Sequence, residues 1–352
     1  TIQPNYTFFI NSSADGSKYL FAWTSGWSRK LYFSITDNGF NVIRSRAEEL
    51  PDESTLSLSN VVVDNNSNAY IAYVFSKKGK IKGEILIDKS SGSEKRSVEL
   101  SDVEIAGCYS VIDEKRGKFW VLGTYKDESG YQKGVFVQPF AIDGFKAGGI
   151  NKTPFSENIL ELLDKDGWAK NKEKKSGLYN SISFETMLLE DGSLNMNGEF
   201  REVVSGVRTS FIISGSILNI RFDESNKTAF FTRIPKVRVS AGSTIGDSYR
   251  SFVYKDKIFI FYDDVLKNLE LELSASPKRS DVYTNAVLAV ATISKSGELK
   301  REIVKDLSKE DFLGITDCMQ EISKGEYFIP FRRIKSLGQV TNDIRWAFIS
   351  VK

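Results

Sequence analysis

Residues 190–236 read EDGSLNMNGEFREVVSGVRTSFIISGSILNIRFDESNKTAFFTRIPK. Three strands follow one another here. Gly192–Val204 is the first, Arg208–Phe222 the second and Lys227–Lys236 the third, with a polar turn at Asp223-Glu224-Ser225-Asn226 before the last. The apolar residues recur at a period near two, and turn formers bound each run. With the preceding run Tyr179–Leu189, the unit is a four-stranded antiparallel meander.

The same unit recurs along the chain. Its aromatic-rich second strands fall at Tyr19–Trp23, Tyr70–Tyr73 and Phe119–Leu122, with starts about 50 residues apart. Asp37-Asn38-Gly39 lies between two alternating runs as a hairpin turn, with Asn38 and Gly39 suited to positive φ. Six copies are counted, and four strands per copy predict an all-β fold, a β-propeller of four-stranded antiparallel blades. One blade cannot cover its own faces, so neighbouring blades must stack. The chain 1–352 reads as a single propeller domain, with a sheet-on-sheet sandwich pair as the alternative. The sixth copy, Ile315–Ile322, Glu326–Arg332 and Arg345–Val351, lacks a fourth strand. Circular closure would take it from upstream of Tyr6.

Two stretches break the pattern. In 154–177, Ser156 caps a short helix with the stripe Ile159, Leu160, Leu162 and Leu163, followed by the Lys-rich loop Lys165–Lys175. The other is a long loop at 263–284.

Composition limits the chemistry. The 352 residues include 24 Phe and 14 Tyr, residue types that favour strands. The net charge of +2, with both signs mixed throughout, gives no field for nucleic acid or a membrane surface. There is no histidine. Ser-His-Asp and Cys-His catalysis and His-ligated metals are thereby excluded within the chain. Cys108 and Cys318 are too few for a disulfide framework, and both read as buried thiols on inner strands. No run of 18 apolar residues exists, so no transmembrane helix is expected. The start, Thr1-Ile2-Gln3-Pro4, reads as a mature or truncated product.

The order of elements from Pro154 to Leu307 resembles that of uncharacterised extracytoplasmic proteins of Bacteroidetes. It comprises the short helix, the Lys-rich loop, the strand ending Leu188-Leu189-Glu190-Asp191-Gly192-Ser193, the long hairpin, Thr232-Arg233-Ile234-Pro235-Lys236, Phe252–Tyr262 and Lys267-Asn268-Leu269. The resemblance implies export, to the periplasm, the outer membrane (as a lipoprotein) or the cell surface. It implies no catalytic residues.

Arg233-Ile234-Pro235 invites comparison with the sialidase Arg-Ile-Pro motif, but it falls on an outer strand, away from any central pocket. The Asp-rich turns lack calcium-loop spacing, so no metal or cofactor is expected. Asp263-Asp264 is the best paired-carboxylate candidate for a carbohydrate-active enzyme. The tight turns all belong to one face of the blades. The irregular segments, Lys126–Gly130 among them, belong to the other, where loops on a rigid scaffold carry function. Trp27, Arg29, Trp168, Lys170, Lys267 and Asn268 on that face are the expected contacts. The favoured reading is a non-enzymatic binding or scaffold protein for a protein or glycan partner, possibly in an outer-membrane assembly.

Overall fold

The computed structural model describes residues 7–24, 30–49, 56–77, 80–98, 100, 102–167, 169–170, 177–178, 182–205, 210–241, 249–278, 286–307, 310, 312–334 and 340–351. The fold is an all-β propeller built from four-stranded antiparallel meanders. The chain forms two compact units, Thr1–Pro154 and Phe155–Lys352, divided where the sequence pattern first breaks.

The first unit holds three blades. The first comprises Thr7–Ser12, Lys18–Thr24, Lys30–Asp37 and Val42–Glu49, and the second Leu56–Val63, Ala69–Lys77, Lys80–Lys89 and Gly92–Val98. The third comprises Glu104–Asp113, Lys118–Lys126, Gln132–Ala141 and Asn151–Pro154. Alternation turns one side of each strand towards a neighbouring blade. Leu20, Leu31 and Phe33 of the first blade pack on Leu58, Ile71 and Tyr73 of the second. Tyr70, Ile85 and Val98 of the second pack on Ile105, Phe119 and Phe136 of the third.

Hydrogen bonds carry the same repeat. Asn11 Nδ2 donates to the Val61 carbonyl at 2.7 Å. Asn60 Nδ2 donates to the Ser110 carbonyl at 2.8 Å, and its Oδ1 accepts from Ser110 N at 2.9 Å. Each of these pairs is 50 residues apart, so an Asn ties each inner strand to the next.

In the second unit, the fourth blade comprises Ile182–Leu188, Leu194–Ser205, Ser210–Phe222 and a broken outer strand, Thr228–Ile234 with Arg238–Ala241. The fifth comprises Tyr249–Tyr254, Lys257–Val265, Ala286–Ile293 and Leu299–Asp306. The sequence reading ran the outer strand of the fourth blade unbroken to Lys236. Pro235 has no N–H for the ladder, and the strand stops before it and resumes at Arg238.

The sixth blade departs further from its expected form. Its inner position is split between Phe312–Gly314 and Gln320–Ser323, both paired with Glu326–Ile334. A 3-10 turn at Thr316–Cys318 separates them. Pro330 lies opposite the break. Its carbonyl accepts from Ile315 N at 2.8 Å, so its missing N–H faces the same inner strand. The turn leaves Cys318 exposed, whereas Cys108 is buried, and no bridge joins them. Cys318 is therefore not the buried inner-strand thiol the repeat predicted. The last strand, Val340–Ser350, has no fourth strand beside it among the described residues, and the chain upstream of Tyr6 lies outside them.

Five tight turns share one geometry. In Asp37–Asn41, Asp64–Asn68, Leu189–Ser193, Asp223–Lys227 and Ser294–Glu298, the first N–H donates to the fifth carbonyl and the fourth N–H to the first carbonyl. The fourth residue is left-handed in every case: Phe40, Ser67, Gly192, Asn226 and Gly297. In the first of these turns the sequence put positive φ at Asn38 or Gly39. The Asp37 carboxylate instead accepts from Gly39 N and Asn41 N, and the strained position passes to Phe40, whose ring stacks on Tyr19.

Candidate functional site

One polar cluster is buried in the second unit, and another lines an open groove in the first. The buried one begins with α1, Glu157–Asp166. Ser156 Oγ accepts from Ile159 N, Gly167 ends the helix with φ 87°, and Ile159, Leu160 and Leu163 are buried as their spacing predicts. Asp166 sits at the helix C-terminus, where the dipole disfavours an anion. A two-pronged grip from Arg233 offsets this, with Nε to Oδ2 at 2.6 Å and Nη2 to Oδ1 at 2.5 Å. The same guanidinium donates to the Leu273 and Ala275 carbonyls. Arg233 is thus a structural clamp on an outer strand, and the sialidase comparison fails on its surroundings as well as its position.

The break at Pro235 turns Lys236 inward. Its Nζ donates to the Glu199 carboxylate, and both side chains are buried. Arg201 Nε holds the other Glu199 oxygen at 2.9 Å. On the same face of the strand, Asn195 and Asn197 bond to Asn219 of the neighbouring strand, and Asn197 Nδ2 donates to Ser251 Oγ at 2.8 Å. The sequence reading missed this row. Its signal was the alternation Asn195-x-Asn197-x-Glu199, polar at every second position of a strand.

Asp263 and Asp264 do not form a pair. They are consecutive in the strand Lys257–Val265, so they point to opposite faces. Asp263 faces Gly314, where an added Cβ would lie 3.2 Å from its Oδ1, and its Oδ2 lies 3.2 Å from Arg238 Nη1. Asp264 Oδ1 accepts from Val265 N at 2.8 Å and Asn268 Nδ2 at 2.9 Å. Both carboxylates are almost fully buried. Burial pushes Asp264 up to about 6, against the lowering effect of Asn268, Val265 N, Lys236 and Arg301. The carboxylate pair proposed for glycoside chemistry is therefore two separate structural acids.

Asn268 is also internal. It lies in α2, Leu266–Leu269, and its amide accepts from Lys278 N at 2.9 Å and donates to the Lys278 carbonyl at 3.2 Å. Arg301 donates to the Asn268 and Leu271 carbonyls. The first half of the expected long loop at 263–284 is thus a strap pinned by Arg233, Arg301 and Asn268. Burial removes Asn268 from any contact surface, whereas Lys267 beside it is exposed. Lys170 falls in a two-residue strand, Ala169–Lys170, paired with Gly177–Leu178 inside the expected loop. Trp27, Arg29 and Trp168 lie outside the described residues.

The open site is a groove of about 380 Å³ in the first unit, between the second and third blades. Its aliphatic lining is Ile81, Val98, Leu100, Val103 and Ile105. Gly83 allows this packing, since a Cβ there would come within 2.9 Å of Ile105 Cδ1 and 3.4 Å of Val98 Cβ. The charged lining is Lys82, Asp102, Glu104, Lys126, Asp127 and Glu128. These come from the start of a third strand, the crossing between blades and the turn after a second strand. The groove therefore opens on the face expected to carry function, at the segment Lys126–Gly130. Lys126 Nζ lies 3.4 Å from Glu104, Lys133 Nζ lies 3.3 Å from Asp127, and Lys152 pairs with Asp102. Burial works to raise Asp127, but Ser129 and Lys133 outweigh it and hold its carboxyl below the ordinary value. Among the described residues no group of three or more His, Cys, Asp or Glu side chains is arranged to hold a metal. No helix among them is long and apolar enough to cross a membrane.

No family model and no curated protein matches the sequence. Solved structures with a broadly similar arrangement include the hydrazine synthase of Kuenenia stuttgartiensis, at 12% identity and TM-score 0.48, covering 92% of this chain and 74% of that one. Another is the polysaccharide lyase Uly1, at 10% identity and TM-score 0.48, covering 98% and 78%. The α-L-arabinofuranosidase Arb93A of Fusarium graminearum follows at 9% identity and TM-score 0.42, covering 97% and 91%. Likeness at this level transfers none of their chemistry to this chain.

Proposed function

We propose that this chain is a non-enzymatic binding propeller that engages a protein partner at the face carrying its second-to-third-strand loops. The groove between the second and third blades supports the reading. Its floor is aliphatic and its lining contains no aromatic ring on which a sugar would stack. Asp127 is held below the ordinary carboxylate value by Ser129 and Lys133, whereas a general acid needs its value raised.

Export belongs to the same reading, and fractionation of the native host checks it. The binding role is tested by co-purification on the tagged chain. Leu100→Asp and Val103→Asp place charge on the half-buried floor, and circular dichroism verifies that each variant folds. Loss of the captured partner in both variants is expected. Capture undiminished by either would refute the groove as the contact site, and a glycan-array signal that survives both would favour a carbohydrate ligand bound elsewhere.

A further inference from the structure

We infer that the third strand of the sixth blade, Val340–Ser350, pairs edge to edge and antiparallel with the same strand of a second copy of this chain. In each of the other five blades a fourth strand lies antiparallel beside the third. Beside Val340–Ser350 there is none among the described residues. Pro330 lies opposite Trp346, and the Pro330 carbonyl accepts from Ile315 N of the inner strand. A residue of an antiparallel strand sends its N–H and C=O to the same side, so Pro330 and Trp346 do not bond to each other. Trp346 therefore turns both backbone groups out of the sheet edge, and Ile344 and Phe348 do the same by alternation. Val351 N, of the other parity, donates inward to the Gly325 carbonyl at 2.8 Å.

The same three residues carry exposed apolar side chains. Ile344 is 43% exposed, Trp346 58% and Phe348 74%, whereas Ala347 and Ile349, on the other face, pack against the core. Phe328 of the neighbouring strand extends the row, its ring stacked on Trp346 with centroids 4.8 Å apart. Sheet edges are ordinarily blunted by charges, proline or bulges. From Ile344 to Ser350 there is no proline, and the one charge, Arg345, lies over the Phe312 ring on the packed face. An edge open in both backbone and side chain accepts an added strand. This one is complementary to itself. A two-fold axis through Trp346 sets Trp346 against Trp346 of the second copy and Ile344 against its Phe348, apolar pairs that strengthen a ladder. Arg345 then meets Ala347, and no like charges are opposed.

Sedimentation velocity of the full chain between about 1 and 100 μM, the range suited to a small interface, should show a reversible monomer–dimer equilibrium. Trp346→Lys places a charge on the exposed edge and should weaken dimerisation by about tenfold or more. Phe348→Pro removes one outward N–H and leaves the inward ladder of the blade intact, so this variant should fold and remain monomeric. Circular dichroism verifies the fold of each. If Phe348→Pro does not fold, Trp346→Lys decides alone, because it changes only an exposed side chain. A wild-type chain that stays monomeric throughout, as it would if another strand covered the edge, overturns the inference. A dimer that survives Trp346→Lys undiminished forms elsewhere and overturns it as well.

Discussion

Replacing Asp264 by Asn should stabilise the protein at neutral pH, and the gain should disappear in acid. Asp264 is buried beside Tyr262, Asn268 and the backbone of Val265, with the charges of Lys236 and Arg301 acting on it. Burial outweighs those two cations and raises the folded-state pKa from 3.8 to about 6. Its contribution to stability is therefore fully present below about 3.8, and is lost as pH rises through about 6. The interval corresponds to about 3 kcal/mol, at about 1.4 kcal/mol per pH unit. Asn keeps an oxygen for Val265 N–H and removes the charge. Relaxation and imperfect placement of the new amide reduce the gain, so about 1–3 kcal/mol is expected at pH 7.5.

Urea unfolding of both proteins between pH 4.5 and 7.5 reads this directly. The difference should grow with pH through the region near 6 and flatten above it. Destabilisation by Asp264→Asn at pH 7.5 would mean that attraction to Lys236 and Arg301 exceeds the cost of burial. A gain independent of pH would mean that Asp264 does not titrate in this interval. Either result would refute the reasoning.

Three further outcomes follow from the same geometry. Arg233→Met should cost about 3–5 kcal/mol in urea unfolding, because Asp166 is left buried without its partner, and adding Asp166→Leu should recover much of the loss. Thiol labelling of the native chain should modify Cys318 alone, since Cys108 is buried and pushed up to about 12, and denaturant should expose the second thiol. Gly123→Ala should prevent the third blade from closing, because the new Cβ would fall 1.9 Å from the Gly107 carbonyl oxygen; a soluble variant of near-normal thermal stability would contradict this.

The blades were legible because they rest on signals of short range. Period-two alternation and Asp-started turns are contained within about ten residues, and a spacing near 50 exposes their repetition. The short helix was legible for the same reason, with Ser156 and its apolar stripe adjacent in the chain. The departures came from single residues whose effect depends on a partner strand. Pro330 splits the inner strand of the sixth blade, although the split falls 14 to 16 residues earlier in the chain, at Gly314 to Thr316. Pro235 lies in a motif that drew attention for its arginine, yet its consequence is the burial of Lys236.

Asp263 and Asp264 show the same limit in charge. Adjacency in sequence suggests a pair, but a strand sends consecutive side chains to opposite faces, and that argument was available from the alternation of the strand itself. The groove was legible only by its face. The partition of tight turns and irregular segments pointed to Lys126–Gly130, but the aliphatic floor combines Ile81 of one blade with Ile105 of the next. No local pattern announces such a junction.

The two polar regions use the same residue types to opposite ends, and solvent decides which. In the interior of the second unit, Arg233–Asp166 and Lys236–Glu199 are fully desolvated, so each charge is held by its partner and cannot be released to a ligand without leaving the other buried. In the groove, Lys126–Glu104 and Lys133–Asp127 remain in water, so each can be broken and remade at small cost. Ligand exchange requires the second condition. The acids best placed to meet the proposed partner are therefore those with the weakest partners of their own, and the most perturbed carboxylates belong to the scaffold rather than to the proposed binding face.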